Sequence, residues 1–265
     1  MKKLFVFLPV VMLLFFVLVG NRLLASGAVS PFTMIGFAAI LFVITLLTKP
    51  KQKPLQAASA LEEQIRGEFA KDAFADDPQL AAKFQAVLKD YSGNMPKSAL
   101  AKLQKLAPLC TNDKDKYAVA MAGGILNTHL NKPRDAVREY VRALNIHQTG
   151  DVAIALGESY QRAGELKKAK DSYLFALDLE PDNTDARCKL ATAYVADLEY
   201  TTALDHALTA LDQDETLASA LATAAICYGL LNNSAMCSHY TERAVEQGYK
   251  RDKITQTIDA LRKRK

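Results

Sequence analysis

Chemistry-bearing residues are scarce in this chain and poorly placed for one another. Four histidines (His129, His147, His206, His239) and four cysteines (Cys110, Cys188, Cys227, Cys237) are scattered over 265 residues. They form no C-x2-C pair and no H-E-x-x-H set, so the spacing that a zinc or other metal site needs is missing. The phosphate-cradling G-x-x-x-x-G-K-[ST] loop, the dinucleotide fingerprint G-x-G-x-x-G and the G-x-S-x-G elbow are missing too. These absences argue against the motif-borne enzyme classes and imply no cofactor and no metal. A protein that binds rather than catalyses is expected. Unpaired buried thiols would fit a reducing compartment, although a Cys227 to Cys237 disulfide remains open.

Charge is absent from two stretches, Leu4 to Gly20 and Phe32 to Thr48. Each is about 17 residues long, the lower limit for a helix that crosses a bilayer of about 30 Å. Residues 1–48 are therefore expected to form a transmembrane hairpin, with spans at about 4–20 and 32–48 turning around Asn21 to Pro31. Lys2 and Lys3 precede the first span, Lys49, Lys51 and Lys53 follow the second, and the loop carries only Arg22. That asymmetry places both ends in the cytoplasm. Ala25-Ser26-Gly27 offers a signal-peptide alternative, in which the second span anchors the chain with the same outcome. Neither span holds an ionisable residue, which suits an anchor better than a transport path.

Every acidic residue lies beyond Thr48. Removing Lys2, Lys3 and Arg22 from the 33 basic residues leaves 30 against 29 acidic ones. The basic balance thus comes from the membrane flanks and gives no reason to expect nucleic acid.

What the chain does contain is a period. Leu156, Gly157, Tyr160, Ala169, Tyr173, Ala176 and Pro181 are followed 34 residues later by Ala191, Tyr194, Ala203, Ala207 and Ala210. A further step of 34 gives Ala225, Tyr228, Cys237, Thr241 and Ala244. One step back the period slips by a residue, yet Gly124, Ala136, Tyr140 and Ala143 keep the internal spacing. This pattern resembles the tetratricopeptide repeat, with Ala153 where that family carries Trp. The resemblance implies an all-α solenoid of antiparallel helix pairs in which small residues permit close helix crossing and Tyr fills the space beside them. It places repeats at about 117–149, 150–183, 184–217 and 218–251.

Flanking segments complete the expected organisation. Residues 49–54, with two prolines and three lysines, read as a linker. Residues 55–115 read as a helical region with a divergent first repeat. Its elements are an amphipathic helix from about Leu55 to Phe74 carrying Leu61, Ile65 and Phe69, a helix capped by Asp77-Pro78, and another from Pro96 to Leu106, before a polar break at Thr111 to Asp115. Ile254, Ile258 and Leu261 share one face of a capping helix at 252–265.

In the family, the first helix of each repeat lines the groove that receives a partner. Carried onto this chain, those positions include Met121, Ile125, Ile154, Glu158, Gln161, Arg162, Thr192, Val195, Ile226 and Leu230. The Lys and Asn clamp of chaperone-binding members is not among them. The groove reads as more apolar toward the C-terminus, suited to an amphipathic helix or an extended apolar segment. A membrane-anchored scaffold at the inner face of a bacterial-type cytoplasmic membrane is the expected function, with a protein and the bilayer as partners. Two spans followed by repeats are also similar to the apocytochrome chaperone of cytochrome c maturation, which implies external repeats and envelope assembly. A third expectation is a self-associating structural protein whose partner is its own copy.

Overall fold

The computed structural model describes residues 64, 65 and 67–263. The expected membrane hairpin, the linker and most of the helix expected from Leu55 lie outside the described residues. Among the described residues no helix is long and apolar enough to cross a membrane. They form eleven α-helices and no strand. These are α1 (Pro78–Ser92), α2 (Pro96–Leu106), α3 (Asp113–His129), α4 (Pro133–Ile146), α5 (Gly150–Arg162), α6 (Leu166–Leu179), α7 (Thr184–Ala196), α8 (Tyr200–Gln213), α9 (Ala218–Leu230), α10 (Ser234–Glu246) and α11 (Arg251–Arg262).

Helices α1/α2 through α9/α10 pack as five consecutive pairs, joined by short turns that make them antiparallel. Each second helix also packs on the first helix of the next pair. From α5 onward the first helices touch one another more closely than the second helices do, so the first helices line the inner side of the stack.

The turns inside the pairs share one device. Asn94, Asn131, Gly164, Leu198 and Asn232 adopt φ of 54–81°. In each case the next residue donates its N–H back across the helix end, as Lys132 does to Asn127 and Glu199 to Tyr194, at 2.9 and 3.0 Å. This is the Schellman closure, which satisfies the last carbonyls of the first helix. Asparagine and glycine tolerate the left-handed conformation. Leu198 does not, and it is the turn the sequence gives no sign of.

Size complementarity holds each pair together. A methyl group added to Gly124 would lie 2.5 Å from the Tyr140 ring, and one added to Gly157 would lie 2.5 Å from that of Tyr173. Two glycines therefore let two tyrosines lie flat against the first helix. Ala169, Ala176, Ala191, Ala203, Ala210, Ala225 and Ala244 are fully buried at other crossings. Tyr160, Tyr194 and Tyr228 are half-buried, and Pro181 is exposed in the loop before α7.

Two expectations at the N-terminal end are corrected. The helix expected to reach Phe74 is replaced from Gly67 to Asp76 by successive turns closed by bonds such as Ala73 N–H to Ala70 O at 2.9 Å. Gly67 and Phe74 both take positive φ. What holds the segment is tertiary. The Phe74 N–H donates to Asp115 Oδ1 at 2.6 Å, and Phe69 stacks on His147 at 4.2 Å. The polar break at Thr111 to Asp115 is also shorter than expected. Asn112 caps α3 by accepting from Asp115 N–H at 2.8 Å, so the helix starts at Asp113 and Asp115 is buried inside it.

At the other end α11 stands where the first helix of a further pair would. Its Ile254, Ile258 and Leu261 are buried. Burial of each contributes about 1.5–3 kcal/mol, enough to close the apolar end of a stack.

Candidate partner-binding groove

The inner face is built mainly from α5 and α7, with α3 on one side and α9 on the other. The sequence-assigned residues separate sharply on it. Met121, Ile154, Val195, Ile226 and Leu230 are 4–8 % exposed and belong to the core. Ile125, Glu158 and Gln161 are half-buried, while Arg162 and Thr192 are exposed. The apolar character read from the sequence is thus the floor of the face, and its accessible surface is polar. Toward the C-terminus the floor is closed by the chain itself. Ile226, Leu230, Ile254, Ile258 and Leu261 form one buried cluster, and Arg262 donates to Gly229 O at 2.8 Å.

A charged rung crosses from α5 to α7. Lys189 of α7 pairs with Glu158 of α5 and lies 3.5 Å from Asp185. Burial works against its charge, but the bond to Glu158 and the charges of Glu158 and Asp185 outweigh it and raise the lysine pKa. Lys189 therefore remains protonated at neutral pH. Its role was missed in the sequence because it is not among the groove positions carried over from the family, although Asp185 four residues earlier is a visible sign.

Beside this rung the Tyr173 hydroxyl donates to Gln161 Oε1 at 3.1 Å, fixing Gln161 on the inner face. Thr192 donates to Cys188 O at 2.9 Å. Burial raises the Cys188 thiol pKa. All four cysteines are free, and among the described residues no cluster of His, Cys, Asp or Glu could hold a metal ion. The face can offer donors and acceptors in fixed geometry to a polypeptide. It presents no activated nucleophile.

No family model and no curated protein matches the sequence. Solved structures do match. A tetratricopeptide repeat protein from Parabacteroides merdae superposes with TM-score 0.62 at 17% identity, over 69% of this chain and 72% of that one. The fold is that of a tetratricopeptide-repeat solenoid. YrrB, a tetratricopeptide-repeat protein described as having an unusual peptide-binding site, gives TM-score 0.54 at 19% identity over 68% of this chain and 92% of its own. MamA gives TM-score 0.56 at 17% identity over 63% and 96%.

Proposed function

We propose that the chain is a membrane-anchored scaffold whose helix stack holds a protein partner along its inner face. The observation that carries this reading is the polar band above an apolar floor, Glu158, Gln161, Arg162, Lys189 and Thr192, presented by two adjoining rigid helices. Such a band suits a polypeptide with its own backbone and charged groups, and the peptide-binding site of YrrB supports it by analogy of fold. The spans at 4–20 and 32–48 would hold the stack at the inner face of the cytoplasmic membrane. Tethering raises the effective concentration of a captured partner near membrane complexes without any new contact.

Charging the floor is a poor test, because Val195→Asp or Ile226→Asp would bury a carboxylate and unfold the stack. A photo-crosslinking amino acid at Gln161 or Thr192 of the full chain, in its native cells, reads the groove directly. A discrete heavier adduct is expected from both positions and not from Asp171, which is exposed on α6. No adduct at the groove positions, or the same adduct from Asp171, would remove the groove from the account.

A further inference from the structure

The last pair departs from the one before it where its second helix meets the next first helix. On α8 the face turned toward α9 carries Tyr200, Ala203, Leu204 and Ala207. Tyr200, Ala203 and Ala207 are buried and Leu204 packs on the same core. The corresponding positions of α10 are Ser234, Cys237, Ser238 and Thr241. Two large side chains have become serines. Helix α11 answers by leaning onto α9, where Ile258 approaches Gly229 so closely that an added methyl would lie 2.6 Å from its Cδ1. It meets α10 only sparingly.

The result is a cleft of about 490 Å³ between α10 and α11, a size within the ~300–1,000 Å³ of ligand sites. Ile254 and Ile258 form its floor, Ser234, Ser238, Thr241 and Thr255 its walls, and Arg251 and Arg262 stand at its rim. Arg251 is held by Glu242 at 2.6 Å, and Asp259 is the acidic group on the lining. Along residues 250–263 the basic groups are Lys250, Arg251, Lys253, Arg262 and Lys263, against Asp252 and Asp259. Lys250, Lys253 and Lys263 are exposed, and none has an acidic partner among the described residues.

The geometry points to a second docking site, separate from the groove, for an acidic protein segment that inserts large apolar side chains where Tyr200 and Leu204 stand in the preceding pair. The exposed lysines beside the cleft, Lys250, Lys253 and Lys263, select negative charge and the vacated positions select apolar bulk. A membrane surface would meet the lysines but would not enter the cleft between α10 and α11, which takes individual side chains.

The probe is a fluorescein-labelled synthetic peptide of the sequence Tyr200–Gln213, which carries both side chains and two aspartates without lysine or arginine. Titrated with the full chain in detergent, it should bind at least tenfold more tightly than the same peptide with both Tyr200 and Leu204 replaced by Ser. Replacing its two aspartates by Asn should weaken it several-fold. The chain variant Ser234→Tyr with Ser238→Leu should lose the peptide at least tenfold while melting at a higher temperature. Thr255→Leu, which fills the cleft from α11, provides the same loss if that variant does not fold. Failure of the wild-type chain to distinguish the peptides, or undiminished binding by both filled variants, would overturn the proposal. So would equal binding of phosphatidylglycerol vesicles by the wild-type and filled chains with no peptide bound. Gln161 and Thr192 do not line the cleft, so the crosslinking result and this one stand or fall separately.

Discussion

In the pairs α3/α4 and α5/α6 a glycine faces a tyrosine sixteen residues on, Gly124 with Tyr140 and Gly157 with Tyr173. In α7/α8 and α9/α10 an alanine faces a small residue at the same spacing, Ala191 with Ala207 and Ala225 with Thr241. All eight positions are buried. The first helix gains a methyl where the second gives up its ring, and the crossing is kept, so the repeat is defined by the fit of two faces rather than by either residue alone. Burial of the tyrosines has a chemical mark as well, because it pushes the Tyr140 phenol up to about 12 and raises that of Tyr173.

The largest expected effect comes from emptying the tyrosine side of this arrangement. Tyr173→Ala should lower unfolding free energy by about 3–5 kcal/mol, read from urea melts, because it leaves a cavity beside Gly157 and strips Gln161 of its donor. Gly157→Ala forces a methyl against the ring and should lower it by about 1–3 kcal/mol. Combining the two recreates the Ala191 and Ala207 arrangement, so the double variant should be more stable than the sum of single effects predicts. Strict additivity in that cycle would break the comparison.

A smaller effect is expected where the fourth pair is tied to the third. Leu198 lies in the left-handed region and is flanked by Asp197 and Glu199, both paired to Lys170 of α6, which also sits 4.7 Å above the Tyr194 ring. Lys170→Met should lower stability by about 1 kcal/mol, a figure discounted for the exposure of the two carboxylates. Bonding to Lys170 lowers the Asp197 pKa, so its contribution is present above the unfolded carboxylate value and is lost as pH falls through the folded one. Bonding to Asp197 and Glu199 raises that of Lys170, whose contribution is present below the unfolded lysine value and lost as pH rises through its folded one. Melts of wild type and Lys170→Met should therefore differ between about pH 5 and 10 and begin to converge as pH falls below about 4. A difference unchanged at pH 3 would mean that packing, not charge, carries the clasp.

The smallest effect has the opposite sign. Leu198→Asn should stabilise by about 0.5–1 kcal/mol by removing left-handed strain, bringing this turn into line with Asn131 and Asn232. A loss of stability would show that the exposed Leu198 side chain makes up for its backbone.

Much of this architecture is legible in the residues, and for a physical reason. Close helix crossings accept few side chains, so Gly157, Ala169, Tyr173 and Ala176 recur at fixed spacing and announce the pairs. Asn131, Gly164 and Asn232 announce their turns because few residues take positive φ. Leu198 announces nothing, since leucine carries no preference for this conformation, and the lysine that bonds its flanking acids lies 27 and 29 residues away from them. The groove was only half legible. Repeat positions tell which side of a helix turns inward but not how closely neighbouring helices approach, and so Ile154, Val195 and Ile226 read as surface yet lie in the core. The segment before α1 defeated periodicity for a similar reason, because Phe69 and Phe74 are placed by His147 and Asp115 rather than by helical spacing.

The central claim, a partner-holding stack tethered at the inner face of a membrane, is tested most directly by topology. Two fusions at the C-terminus of the full chain suffice, one reporter active only in the cytoplasm and one active only outside it. Activity of the cytoplasmic reporter in a membrane fraction released only by detergent is the predicted result. Activity of the external reporter, or recovery of the full chain without detergent, would contradict the account.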